Sequence, residues 1–301
     1  MSENELLFSL FFVSCRSKNK VEQPMIKDFD LLQRANNDYT TIDLEHAEEL
    51  AYRELIDSIR YIPLGDECGV MGNIANIITY KGRFYIQEEQ FDRVFIYDDT
   101  GRCLKKIDNK GRGPGEYLRI ESIDINTEKE ELMLVDGMSD KLFFYDLDGN
   151  FKSIHSIRYF QTENTLCLRD SVFLHISAPS QNFGNEGLYG YALVLSKGNE
   201  NFLKGYRYLP LQVGYKGGGQ IFKGYERSCY HPIYSDTIYQ ILSDTTYGPI
   251  FYFKIKNSSW EKYHNSDRFV DIDGSEEGVF TLLYENQDFF LGYIADKKKK
   301  G

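Results

Sequence analysis

Little in this chain suits nucleic-acid, metal or redox chemistry. Lys and Arg total 35 against 46 Asp and Glu, a formal charge of −11. A nucleic-acid partner needs a basic face to displace counterions, so this balance argues against one. It equally disfavours loose adsorption to an anionic membrane. The five cysteines, at 15, 68, 103, 167 and 229, include no CxxC pair, which removes zinc-ribbon and thioredoxin-like readings. They are expected as small buried thiols, with one disulfide open to them in an oxidising compartment. The five histidines, at 46, 155, 175, 231 and 264, form neither an HExxH nor an HxH pattern. No Gly-x-Ser-x-Gly elbow is present, so an α/β serine hydrolase is unsupported. Beyond residue 70 no long amphipathic helical pattern interrupts the chain, which excludes βαβ architectures. No catalytic residue, cofactor or metal site is predicted.

What is abundant is strand-forming material: 23 Tyr and 21 Phe among 301 residues, both of which favour strands. Two segments 48 positions apart align without a gap. Arg83–Ile86 and Asp92–Gly101 match Glu131–Leu134 and Asp140–Gly149, pairing Asp92 with Asp140, Phe95 with Phe143, Tyr97 with Tyr145 and Gly101 with Gly149. A strand-filled repeat of this length is the signature of a propeller blade. Alternating runs over Ile74–Tyr80, Phe84–Gln87, Arg93–Tyr97, Ile120–Ile125, Leu132–Val135 and Lys141–Tyr145 are predicted strands. They continue at Ser171–Ile176, Tyr189–Leu195, Ile250–Ile255, Gly278–Tyr284 and Phe289–Ala295. Asp236–Ile241 begins a strand two periods beyond Asp140. Ser58–Leu64 alternates up to Pro63, as an edge or first strand would. From residue 70 the chain supports about five units of roughly four antiparallel strands each.

The N-terminal part divides differently. Leu6–Val13 is an apolar run ending at Ser14-Cys15, long enough for a signal-peptide core and far too short to span a bilayer. A small residue before a cysteine, followed by a polar stretch, is similar to a bacterial lipobox, in which the cysteine is the lipidated residue. Glu3 and Glu5 stand where such signals usually carry positive charge. The expected division is a signal segment at 1–15, a polar tether at 16–55 with a short helix within His46–Leu55, and a propeller domain at 56–301.

Four motifs invite chemistry. Lys110–Tyr117 (Lys-Gly-Arg-Gly-Pro-Gly-Glu-Tyr) lacks the Gly-Lys-Ser/Thr ending of a phosphate loop and reads as the crossing between two blades, with Arg112, Glu116 and Tyr117 as a candidate binding surface. Gly217–Gly219 reads as a flexible turn or the rim of a pocket. Asp146–Asn150 and Asp271–Glu277 hint at calcium, but glycine comes at the fourth position rather than the sixth, so both read as Asp-Gly turns. Trp260 and Tyr225 are candidates for stacking on sugar rings if exposed.

Taken together, Ser58–Leu64, the Phe-x-Tyr-Asp-x-x-Gly blade end and Gly-Arg-Gly-Pro-Gly-Glu-Tyr resemble the six-bladed β-propeller lipoproteins of Bacteroidetes, which are similar to NHL-repeat and TolB-like propellers. The resemblance covers residues 56–296. It implies an all-β fold with six intended blades, of which about five are present, the last expected to be missing after Lys297. It also implies a non-enzymatic ligand- or partner-binding protein, exported and lipid-anchored through Cys15 at the periplasmic or outer-membrane face, its partner a glycan or an envelope protein. Two rival expectations stand beside it. One is a lyase or hydrolase with His and Asp side chains converging on the central channel. The other is a damaged gene product with no stable fold.

Overall fold

Runs such as Val94–Tyr97, Leu132–Val135 and Leu142–Tyr145 are apolar at every position, not at every second one. Strands covered on both faces have this composition, and a blade stacked between two neighbours is covered in that way. The computed structural model describes residues 30–31, 33–36, 38–44, 46, 58–157, 162–169, 171–177, 191–198, 201–208, 219–224, 227–232, 235–243, 246–254, 279–285 and 290–295. Its elements are all strands. Four antiparallel four-stranded units follow one another in a propeller arrangement. Blade one is β4 (Ile74–Tyr80), β5 (Arg83–Glu88), β6 (Arg93–Asp98) and β7 (Cys103–Ile107). Blade two is β8 (Ser122–Asn126), β9 (Glu131–Asp136), β10 (Lys141–Asp146) and β11 (Phe151–Ser156). Blade three is β12 (Asn164–Arg169), β13 (Val172–Ile176), β14 (Tyr191–Lys197) and β15 (Asn201–Tyr208). Blade four is β16 (Gln220–Gly224), β17 (Arg227–His231), β18 (Thr237–Ile241) and β19 (Thr246–Lys254). A further hairpin, β20 (Val279–Glu285) with β21 (Phe290–Ala295), stands beyond them.

The core is a series of layers between blades. Tyr85, Val94 and Ile96 meet Ile123, Leu134 and Phe143 between blades one and two. Met133, Val135 and Phe144 meet Cys167 and Phe173 between blades two and three. Leu174, Leu193 and Leu195 meet Ile221, Tyr230 and Tyr247 between blades three and four. The turns repeat with the strands. Asp92 and Asp140 both immediately precede the third strand of a blade, in the left-handed region at φ 57° and 53°. The carbonyls of Asp140 and Asp236 each accept a hydrogen bond of 2.8 Å from the residue seventeen positions on, Ile157 and Phe253. The doubled period seen in the sequence therefore marks the same joint in blades two and four.

Of three findings, the first and third depart from expectation and the second settles an alternative left open. Ser58–Leu64 is not a strand. It runs as irregular backbone along the outer edge of blade one, where the Arg60 guanidinium donates to the Asp99 carbonyl (2.8 Å) and the Gly65 amide to the Gly101 carbonyl (2.8 Å). Its alternation has no core beneath it: Ile59 and Tyr61 are exposed. Second, Cys68 and Cys103 form a disulfide with Cα atoms 5.9 Å apart, fastening this segment to β7, while Cys167 and Cys229 are buried free thiols. Closing so long a loop is worth about 3–4 kcal/mol in the chain-entropy treatment. Third, part of the expected tether is bound to the propeller. β1 (Asp30–Leu31) pairs in parallel with β15, and β2 (Gln33–Arg34) and β3 (Thr40–Asp43) pair in parallel with β19. These additions cover outer edges that would otherwise present unpaired backbone groups. Residues 1–15, the expected helix beyond His46, Trp260, Tyr225 and the 271–277 turn lie outside the described residues.

Candidate functional site

The glycine-rich loop between blades one and two is held by its own chain. Lys110 and Tyr117 form an isolated parallel bridge. The Gly111 amide donates to the Tyr117 carbonyl (2.9 Å), and the Tyr117 amide to the Asn109 carbonyl (3.1 Å). The exposed Glu116 folds back so that its carboxylate accepts from the Gly113 amide (2.7 Å), occupying one of the donors an anion would need. Arg112 is exposed at the tip. Tyr117 is wholly buried: its ring packs edge-on against Phe143, and its hydroxyl donates to the Asp92 carbonyl (2.8 Å). Burial pushes this phenol far above its usual range. Of the three candidate residues, Arg112 and Glu116 are at the surface and Tyr117 joins two blades.

The Asp146–Asn150 segment is a capped turn. The Asp146 carboxylate accepts from the Asp148 (3.0 Å) and Asn150 (2.8 Å) amides. Asp98 does the same for Thr100 and Arg102, at 3.0 Å each. Both carboxylates serve their own turns, which is the Asx-type use of this residue.

Each described histidine has partners of its own. His175 is fully buried between the Thr165 hydroxyl (Nδ1, 2.9 Å) and the Ser196 hydroxyl (Nε2, 2.7 Å), and burial lowers its pKa to about 3. A serine–histidine pair sealed from solvent in this way serves packing. His231 hydrogen-bonds the Ser235 carbonyl (2.8 Å). His155 packs on the Phe144 ring, and burial lowers its pKa. Among the described residues no group of three or more His, Cys, Asp or Glu is arranged to hold a metal ion.

Sequence reasoning missed the site with the strongest geometry. The innermost strands β4, β8, β12 and β16 surround a cavity of about 720 Å3. Their register is fixed by cross-blade bonds: the Thr165 amide reaches the Ser122 hydroxyl (3.4 Å), the Cys167 amide the Asp124 carboxylate (2.7 Å), and the Asn164 side-chain amide the Ile221 carbonyl (3.4 Å). Glu121, Glu163 and Gln220 consequently fall toward an upper level of the cavity, within about one residue of each other, and Asp124 and Lys223 toward a deeper one. The Lys223 ammonium sits 2.8 Å from the Asp124 carboxylate and donates to the Ile125 carbonyl at 2.6 Å, a spoke from blade four to blade two. Burial raises the Asp124 pKa, and Lys223 opposes that shift. At the upper level burial raises the Glu121 pKa, with Arg119 3.3 Å away opposing it. The Asn164 side-chain oxygen is buried with no hydrogen-bond partner. Gly219, last of the triple glycine, lines the same cavity. Nothing in Asn-Thr-Leu-Cys or Gln-Ile-Phe-Lys announces such a site, because the residues converge only when distant strands are stacked.

A crystal structure of a candidate exported protein from Bacteroides fragilis is similar over 85% of this chain and 80% of that one, with a TM-score of 0.64 and 18% identity. At that identity the likeness speaks for the fold alone. A member of the DUF4221 family from Bacteroides vulgatus aligns over 71% of this chain and 68% of its own, at 11% identity and a TM-score of 0.45. No curated protein matches the chain. A family model described as "Domain of unknown function (DUF4934)" matches residues 39–301. With four repeated blades around a shared cavity and that match across most of its length, the chain belongs to the DUF4934 family.

Proposed function

We propose that this protein is a non-enzymatic ligand-binding propeller of the bacterial cell envelope, and that its ligand occupies the channel cavity. One observation carries the reading: a cavity of about 720 Å3 in which polar groups from four blades converge. Sites for small molecules usually measure about 300–1,000 Å3, with a few placed polar groups on a mainly apolar wall. Here Ile77, Ile123 and Leu166 supply apolar wall, and Gln87, Asn164 and Lys223 supply polar points. The Asp124–Lys223 ion pair, which spans the cavity, is mutually neutralised, which suits holding a ligand better than transferring its protons.

Placement at the envelope rests on separate supports. Disulfides persist in oxidising compartments, and Cys68–Cys103 is one. The similar Bacteroides fragilis protein is described as a candidate for export. The Leu6–Cys15 segment supplies a lipobox-like signal with Cys15 as the residue to be lipidated. The proposed complete ring has six blades of the NHL or TolB-like kind, with the β20–β21 hairpin contributing to the fifth. Native mass spectrometry of gently purified protein tests the binding reading, with Ile77→Trp filling the cavity from an exposed inner-strand position. A co-purifying small molecule present in wild type and lost in Ile77→Trp is expected. Equal retention in both, or none in either after exposure to envelope extracts, defeats the reading. For anchoring, the Cys15→Ser chain should leave the membrane fraction; unchanged fractionation removes the lipid anchor.

A further inference from the structure

The charged groups that line the cavity are already answered within the protein. The Asp124 carboxylate and the Lys223 ammonium stand 2.8 Å apart, and the Asp124 side chain keeps only 5% of its exposure. Glu121 has Arg119 at 3.3 Å, and Glu163 has an interaction of its own. A charged ligand would have to compete with these pairs, and separating the partners of a buried pair is strongly unfavourable.

The lining groups without a partner are of another kind. Asn76 and Thr79 on β4, Thr127 just after β8 and Gln220 on β16 all line the cavity and are exposed. No hydrogen bond links any of these four side chains to another of the described residues. All four are neutral, and each both donates and accepts: a carboxamide has an oxygen and an NH2 group, a hydroxyl does both with one oxygen. They come from blades one, two and four, so mixed donors and acceptors are spread around the cavity. Beside them on β4, Ala75 and Ile77 expose apolar wall.

A plain hydrophobe would strip water from these four side chains and give nothing back, which is costly. An ion would find its counter-charges taken. A sugar ring matches what remains, since its hydroxyls both donate and accept and its C–H faces can rest on apolar wall. Resting on the reading of the cavity as a ligand site, we infer that the ligand is an uncharged saccharide, its hydroxyls held by Asn76, Thr79, Thr127 and Gln220 and a ring face lying on Ile77.

Probing the full chain with an array of immobilised oligosaccharides tests this. The array holds matched neutral, uronic-acid and amino-sugar members, with trialanine blocked at both ends beside them. Neutral members are expected to bind, at least about tenfold more tightly than their charged counterparts. Raising the salt from about 0.1 M to about 0.5 M should change that binding by less than about twofold, because no charge is read. The double change Asn76→Ala with Gln220→Ala should weaken it by at least about tenfold, the scale of two neutral hydrogen bonds. Thermal unfolding of that variant should match wild type, since both side chains are exposed. The companion change Thr79→Val with Thr127→Val keeps side-chain shape and should weaken binding in the same way. The inference is overturned if charged members or the blocked peptide bind in preference, or if neutral binding survives both double changes. If the array stays empty while native mass spectrometry finds another small molecule that is lost in Ile77→Trp, the saccharide is wrong and the cavity stands. If neither method finds a ligand, both are wrong.

Discussion

Blades one and two are written in the same 48-residue repeat and are not placed alike. Their turns coincide: Asp98 and Asp146 cap them, and Gly101 and Gly149 complete them at φ 88° and 80°. Even Gly82, at φ 70°, has its left-handed counterpart in Glu130 at 53°. Equivalent strand residues point the same way around the ring and meet different things. Phe143 and Tyr145 face back onto blade one. Phe95 and Tyr97, one period earlier, face back onto Cys68 and Met71 of the disulfide-held segment. On the inner strands, Ile77 pairs across from Ile86 and Ile123 from Leu134; Ile123 is buried, whereas Ile77 is 51% exposed. The repeat therefore specifies a blade, and position in the ring decides whether a face becomes core, cap or cavity wall.

The joint between the two blades should be the most sensitive point of that contrast. Tyr117→Ala is expected to lose about 3–5 kcal/mol in urea unfolding, as for large buried aromatics. Tyr117→Phe removes the hydroxyl's bond to the Asp92 carbonyl and the one it accepts from the Asn109 amide, and should lose about 1–2 kcal/mol. A near-neutral Tyr117→Ala would mean the blades do not depend on this joint. Next comes the cap. Replacing both Cys68 and Cys103 with Ser should lower stability by about 3–4 kcal/mol. Hydrogen exchange should quicken at the Phe95 amide and stay slow at Phe143; equal quickening at both would erase the distinction between cap and blade.

Smaller effects separate the copies further. Gly101→Ala and Gly149→Ala both meet a left-handed backbone that disfavours a side chain. At Gly101 the new Cβ runs into the Pro63 carbonyl oxygen, whereas at Gly149 it meets the flexible Lys105 side chain at 2.8 Å. Thermal unfolding should show Gly101→Ala the worse by about 1 kcal/mol. The least effect is expected at the matched aspartates. Asp92 receives the Lys110 ammonium and the Ile120 amide (3.2 Å), so Asp92→Asn, which keeps an oxygen for the Ile120 amide and loses the charge facing a half-exposed Lys110, should lose about 0.5 kcal/mol. Asp140 is raised in pKa by burial and by Asp136. A folded pKa above the unfolded value means the folded state holds its proton longer, so this group costs stability as pH rises through that window. Asp140→Asn should therefore match wild type at low pH and exceed it slightly at neutral pH. The reverse order would show the Asp140 charge to be stabilising.

The middle strands were legible because burial on both faces makes them continuously apolar, and the turns because Asp and Gly are needed at fixed offsets. Strands β7 and β11 passed unnoticed: Cys-Leu-Lys-Lys-Ile and Phe-Lys-Ser-Ile-His-Ser are outer strands with partly exposed faces. Ser58–Leu64 misled in the opposite direction, its alternation being exposed coil beside a blade edge. The loop at Lys110–Tyr117 was correctly legible as a crossing, and its Tyr117 is an inter-blade anchor that only packing reveals. The cavity was illegible in principle, since Asp124, Asn164 and Lys223 come from three blades and are paired by stacking rather than by spacing.

That one blade template set around a ring encloses a ligand site can be tested by hydrogen exchange on the full chain, with and without the small-molecule fraction that co-purifies with it. Slowed exchange should be confined to residues 74–80, 121–127, 163–166 and 219–223, the segments bounding the cavity, with β7 and β11 unchanged. Slowing on those outer strands, or none along the inner ones, would contradict it.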